Sequence, residues 1–487
     1  MSHDPKGLPD GRTIVIGAGV NGLVAAHTLA RAGRRVLVIE RQAEADAFAD
    51  VGWVPPQVID DLRLDRHGLE VHRPDPWIAA ALPDGGRLEL SRDLGKSVEA
   101  IRRLSPADAA KWPEFCKRLR RLARVLETLY FRPAPDVETR DPAELLRLGL
   151  LGLRVRRLGK QGMIDLLRIL PMSAAELLDD WFESAALKAV LGAGAVMHLR
   201  QGPRSGGTAF NLLHHHVGSS AGVFRPPVSN VGQVLSGLPG VELRRGAQVA
   251  RIIVKEGRAT AVALVGGEEV AASLVVSSAD PRATLLGLVE PGWLDPEFGR
   301  AVRNIKCRGV AARVTLTLDR PAEFATLLVA PSLEYLERAY DDAKYGRVSQ
   351  HPWLEARAEG NRVAVHVQYV PYKLADGHWD DTCRRALGDA VVQLLSEHVP
   401  SLCQAVTGRE VLTPQDLEDR YGLTEGHVYH GELTLDQILF MRPVPGWGRY
   451  HTPIRGLYLC GAGTHPGGAI AGGAGRNAAR EILKGAR

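Results

Sequence analysis

Cysteine is scarce in these 487 residues: there are five, Cys116, Cys307, Cys383, Cys403 and Cys460, with no CxxC and no metal-ligand spacing. So sparse and odd a set argues against a disulfide framework or a thiol-redox centre and points to a reducing compartment. Long apolar runs are missing as well. None approaches the roughly 18 residues that a spanning helix needs, so none is expected. The opening MSHDPKGLPDGR has no apolar stretch and carries acidic residues. Neither a secretory signal nor a transit peptide is expected, and the cytoplasm is the expected location. An excess of one charge is also lacking. Sixty-one basic against fifty-six acidic residues leave a net charge of +5, too little, unless clustered, to imply a nucleic-acid partner. Repeats and low-complexity tracts do not occur.

The composition is that of an ordinary globular protein, 45% hydrophobic and 24% charged. The length exceeds a single compact core, so two domains or one interrupted domain are expected. The organising stretch is Thr13-Ile-Val-Ile-Gly-Ala-Gly-Val-Asn-Gly22, followed by an Ala/Leu-rich segment to Gly33 and by Arg34-Arg-Val-Leu-Val-Ile-Glu40. A β-branched run, three glycines at GxGxxG spacing, a helix and a second apolar strand ending in an acid make a βαβ dinucleotide unit. Gly17 allows the tight turn, Gly19 lets backbone approach a pyrophosphate, and Gly22 lets helix pack on strand. The helix N-terminus offers unpaired N–H groups to phosphates. Glu40 is placed to accept both ribose hydroxyls and to repel a 2′-phosphate. GxGxxG alone also fits a glycine-rich turn in any parallel sheet, but the flanking strands and Glu40 favour an adenine dinucleotide.

Further along, Pro83 to Leu90 reads as a hairpin around a DGG turn. Ser105 caps a helix reaching about Leu129, and helical regions are expected over 141–170 and from Ser173 to about Leu191. Leucines interleaved with arginines over 145–160 suit either a solvated basic face or a membrane interface, and the sequence leaves both open. His214, His215 and His216 cannot converge on one ion from a strand or helix, and no metal is expected. Beyond them, runs over 241–279 read as a short-strand meander, α+β material rather than further βαβ. Strands are also expected over 310–318 and 362–370, with helices over 332–342 and 380–398. Near the end, Ile454 to Gly463 is a strand running into glycines, 464–473 a loop, and Ala474 to Leu483 a helix. This is a second cradle of backbone N–H groups, or simply the β-turn-α unit that completes the sheet.

The opening Val15 to Ala26, Leu64 to Glu70, Leu212 to His216, Ala339 to Gly346, Val367 to Tyr372, Gly426 to Glu432 and above all Gly456 to Arg480 resemble the flavin-dependent amine oxidase and phytoene desaturase superfamily. The resemblance implies an α/β plus α+β fold, a discontinuous Rossmann-like FAD domain interleaved with a mixed sheet-and-helix substrate domain. The FAD parts are placed at 1–75, 225–300 and 440–487 and the substrate parts at 76–224 and 301–439. It implies FAD as cofactor and an apolar isoprenoid or lipid substrate, oxidised, saturated or isomerised at C–C bonds. The implied cofactor-binding residues are Gly17, Ala18, Gly19, Val20, Asn21, Gly22, Glu40 and Arg41, then Val249 by its backbone against adenine. Gly461, Ala462, Gly463, Gly467, Gly468, Ala469, Ile470 and Gly472 follow, in the loop that approaches the flavin.

Two departures stand out. The family's GG-x-x-x-T segment after the acid is replaced by Arg41 to Pro56, which holds only Gly52, and its GGMG entry by Val228-Ser-Asn-Val-Gly-Gln-Val234. The adenine end is thus complete and the redox end is not. Three readings stay open: an FAD oxidoreductase, a degenerate relative serving as a structural or interaction partner, and an NAD dehydrogenase. The C-terminal loop favours FAD over NAD. No catalytic residue is assigned, and the oligomeric state, a homo-oligomer included, is left open.

Overall fold

The computed structural model describes residues 11–44, 52–136 and 139–485. Strands Thr13–Ile16 and Val36–Ile39 are buried at every position, which suits β-branched runs flanked on both faces. They pair in parallel, and helix Val20–Arg31 crosses between them, burying Leu23, Val24, Ala25, Ala26 and Leu29. Three distant pieces of chain complete the sheet, whose order is Leu457–Leu459, Leu274–Ser277, Thr13–Ile16, Val36–Ile39, Glu242–Arg244. Every pairing in it is parallel.

Three layers result. On one face of the sheet, the first helix and the C-terminal helix Gly473–Lys484 pack on Val15, Val36, Val38, Leu274 and Val276. On the other, Ile14, Ile16, Leu37, Ile39 and Val275 pack against an antiparallel three-stranded sheet of Val249–Lys255, Arg258–Leu264 and Glu269–Ala271. The expected meander over 241–279 is therefore corrected. Its first and last strands leave it for the parallel sheet: Leu274–Ser277, apolar enough to be buried throughout, lies inside that sheet, and the largely exposed Glu242–Arg244 forms its edge.

A second, seven-stranded sheet takes Ile78–Ala81 and Arg87–Leu90 together with five strands between Ala311 and Leu412. The DGG hairpin forms, with Gly86 N–H donating to Asp84 Oδ1 at 2.9 Å. Helix Pro106–Tyr130 begins where Ser105 Oγ accepts the Asp108 N–H at 3.0 Å. The expected helical region 141–170 is two helices, Pro142–Arg156 and Gly159–Ile169, and the next one is also two, Ala174–Asp179 and Ala185–Val196. An aromatic cluster, with Phe115 edge-on to Phe182 at 4.9 Å, fills the core beneath them. Helix Pro142–Arg156 contrasts with this core: it buries no residue, and Leu145 and Leu146 are 52% and 66% exposed. Among the described residues, no helix is long and apolar enough to cross a membrane.

Candidate functional site

The first strand ends at Gly17, whose φ of +91° is a left-handed turn that favours glycine. Gly22 must also be small, since a Cβ there would lie 2.2 Å from Gly17 O. Both glycines pack on Ser278, whose hydroxyl donates to Ile16 O at 2.9 Å and Gly17 O at 3.2 Å. Gly19 is different. It is the N-cap of the first helix, no side chain caps that helix end, and a Cβ on it would meet nothing within 4 Å. The helix therefore presents bare N–H groups to open space, the arrangement that binds anions. Beside it, Glu40 accepts the Ala18 N–H at 2.6 Å and the Gln42 N–H at 2.9 Å. Those bonds fix the carboxylate at the rim of the turn while leaving lone pairs for hydroxyl donors. Segment 244–249 runs alongside, with Glu40 N–H donating to Arg244 O and Ala247 N–H to Glu40 O, which brings buried Val249 to the same end of the sheet. Val20 is buried behind the turn, and Asn21 Oδ1 accepts the Gly475 N–H at 3.3 Å, tying first helix to last. Arg41 turns away, donating to Asp419 O at 2.7 Å.

The C-terminal loop converges on the same sheet end, and Ser278 joins the two turns: a Cβ on Gly461 would lie 2.3 Å from Ser278 O. Here a side chain on any of the assigned glycines would run into protein. Added Cβ atoms would meet Pro281 at 2.3 Å from Gly463, Leu433 at 2.8 Å from Gly467, the Tyr429 ring at 2.1 Å from Gly468 and Val24 at 2.9 Å from Gly472. Ala469 and Ile470 pair in parallel with Gly52 and Trp53, so the shortened segment after Glu40 still returns to this loop. Ala462 is held through its carbonyl by Arg442, at 3.1 Å from Nε and 2.8 Å from Nη2.

The histidine triplet lies in helix Thr208–His216 with all three rings buried and aimed at different partners. A carbonyl only accepts, so His214 Nε2 donates to Gly468 O at 2.9 Å and its Nδ1 accepts from the Tyr130 hydroxyl at 2.7 Å. His215 donates to Gly194 O and His216 to Val223 O. Burial drives their pKa values down, His214 to about 3 and the other two to about 4, so the rings are neutral at pH 7. Arg442 is the hub of this interior. Its guanidinium, 2% exposed, donates six hydrogen bonds to the carbonyls of Tyr429, Gly431, Glu432, Gln437 and Ala462. Burial pulls its pKa down to about 10, which leaves it a cation at neutral pH. Ser278, Tyr429, Trp53 and Arg442 escape sequence reasoning. Only the SSAD punctuation after strand Leu274–Ser277 hints at Ser278.

A family model for flavin-containing amine oxidoreductases matches residues 57–483, and one for NAD(P)-binding Rossmann-like domains matches 15–48. The chain is 32% identical to rat pyridine nucleotide-disulfide oxidoreductase domain-containing protein 2, over 98% of this chain and 94% of that protein. It is 26% identical to a limonene dehydrogenase polypeptide of Castellaniella defragrans, over 97% and 94%. A solved oxidoreductase from Methanosarcina mazei shares the fold, with a TM-score of 0.58 at 14% identity over 97% of this chain and all of that one. With the family model spanning most of the chain, and the open dinucleotide turn placed against a glycine-rich C-terminal loop, the protein belongs to the flavin-containing amine oxidoreductase family.

Proposed function

We propose that this protein uses FAD to oxidise, saturate or isomerise a C–C bond in an apolar isoprenoid or lipid. The observation that carries the FAD part is the open Gly19 helix terminus beside a fixed Glu40 carboxylate. These residues fit the ADP half of the cofactor: the turn of Gly17 to Gly22 would hold the pyrophosphate, Glu40 the ribose and the backbone at Val249 the adenine. When bound, the flavin supplies hydride acceptance and donation. The chain's own contribution at the redox end is a buried interior of neutral histidines around one cation, in which Tyr130 and His214 fix the Gly468 carbonyl and Arg442 fixes the loop before it. The apolar substrate class is supported by the resemblance to desaturases and by the likeness to a limonene dehydrogenase polypeptide. Delivery from a bilayer is supported by the exposed Leu145, Leu146 and Leu153 on a helix that also carries Arg154 and Arg156, with Arg157 just beyond it. Sedimentation with anionic vesicles that is lost in Leu146→Glu tests that contact.

One observation favours a second reading, in which the chain holds the dinucleotide without turnover. Gly467 and Gly468, which the resemblance assigns to the flavin, are already required to be small by Leu433 and Tyr429, so no ligand is needed to explain them. The absorbance spectrum of the purified protein separates the readings. Flavin bands bleached anaerobically by isoprenoid hydrocarbons or acyl lipids support the oxidoreductase, and bands that none of them bleaches support the second reading. A folded protein that takes up no FAD overturns both.

A further inference from the structure

A cleft of about 780 Å³ opens between helix Pro142–Arg156, the end of helix Pro106–Tyr130 and the outer side of the C-terminal helix. Six arginines and Lys484 line it against a single lining carboxylate, Glu144. That carboxylate is taken by Arg147 and Arg449, Arg476 is paired with Asp61, and Lys484 with Glu481. Arg132, Arg154 and Arg480 have no acidic partner among the described residues. The remaining wall is apolar, chiefly Leu129, Phe131, Leu148 and Leu151. The Phe131 ring packs 5.7 Å from Trp53, whose strand pairs with Ala469–Ile470, so the cleft floor is one ring layer from the C-terminal loop.

Three guanidiniums without an acidic partner line one cleft beside a leucine wall, and their forks match tetrahedral phosphate oxygens. A phosphate monoester carries about −1.5 to −2 at pH 7, more than a carboxylate can bring. We propose that this cleft binds an alkyl or prenyl phosphate, its head held by Arg132, Arg154 and Arg480 and its chain laid along Leu148 and Leu151. The cleft shares no lining residue with the dinucleotide turn, and binding is read without turnover, so its failure leaves the oxidoreductase reading intact.

The test is calorimetric titration of the full chain with monomeric decyl phosphate, beside decyl maltoside, inorganic phosphate and vesicles containing phosphatidic acid. Saturable one-to-one binding of decyl phosphate is expected, with the two soluble controls about ten-fold weaker or worse. Arg154→Ala with Arg480→Ala should weaken decyl phosphate by about ten-fold or more, at a thermal midpoint that does not move. Arg154→Glu alone, on a helix that buries nothing, should do the same. Variants that bind decyl phosphate like the parent, or decyl maltoside bound equally well, overturn the proposal. Inorganic phosphate bound as tightly as decyl phosphate rules out the chain subsite. Binding to vesicles without binding to decyl phosphate assigns the charge to a bilayer surface instead.

Discussion

The two glycine-rich turns meet at Ser278 yet use glycine for opposite purposes. In the N-terminal turn, Gly17 and Gly22 are small so that the turn can close on itself, and Gly19 is small with nothing beside it. In the C-terminal loop, the glycines are small because Ser278, Pro281, Leu433, Tyr429 and Val24 already stand next to them. At Gly19 the side-chain direction is open space that a ligand would use, while at the glycines of the second turn that direction is filled with the protein's own packing. Glycine spacing alone cannot tell these apart. What distinguishes them is whether an added methyl would collide with the fold or only with a ligand.

The largest expected effect comes from the hub of the second turn. Arg442→Met should lower stability by about 5 kcal/mol, because five buried carbonyls lose their shared donor, and the thermal midpoint should drop steeply. Gly468→Ala puts a methyl into the Tyr429 ring and should lower stability by about 3 kcal/mol in denaturant titration. Acid should loosen the same region. His214 and His215 have folded pKa values near 3 and 4, below the 6.5 of the unfolded chain. The stability they allow is therefore full above pH 6.5 and is lost as pH falls towards those values, about 2 kcal/mol for each ring at pH 5. A stability profile flat from pH 7 to pH 5 would break this account of the interior. On the other side of the comparison, Glu40→Gln should change stability by no more than about 1 kcal/mol, since an amide oxygen still accepts one of the two N–H groups. It should nonetheless weaken FAD retention, and unchanged retention would remove Glu40 from the ribose site.

Much of the parallel sheet was legible because its signals are local. Thr13 to Ile16 and Val36 to Ile39 are β-branched or apolar throughout, which suits strands covered on both faces, and glycine spacing marks the turn between strand and helix. The final strand and helix were legible for the same reason. What was not legible is non-local. Nothing within Leu274–Ser277 says that it pairs with Thr13–Ile16, and nothing in Arg442 says that five carbonyls will surround it. Arg41 follows the ribose acid directly in sequence, but the C-terminal end of helix Pro414–Tyr421 captures its guanidinium. Nothing local in the leucine-arginine stretch over 145–160 says that Leu145 and Leu146 stand exposed on a helix that buries no residue. Gly467 and Gly468 read as part of a ligand cradle, and nothing local in that pair says that Leu433 and Tyr429 stand where their side chains would be.

The contrast between the two turns rests on Gly19 serving a ligand and not the fold. FAD titration of Gly19→Val, followed by flavin absorbance and alongside its thermal midpoint, tests it most directly. The expected result is a stability within about 1 kcal/mol of the parent's, since the side chain enters open space, together with loss of the one-per-chain FAD uptake expected of the parent. A Gly19→Val protein that takes up FAD as the parent does would mean that Gly19 makes no room for the ligand.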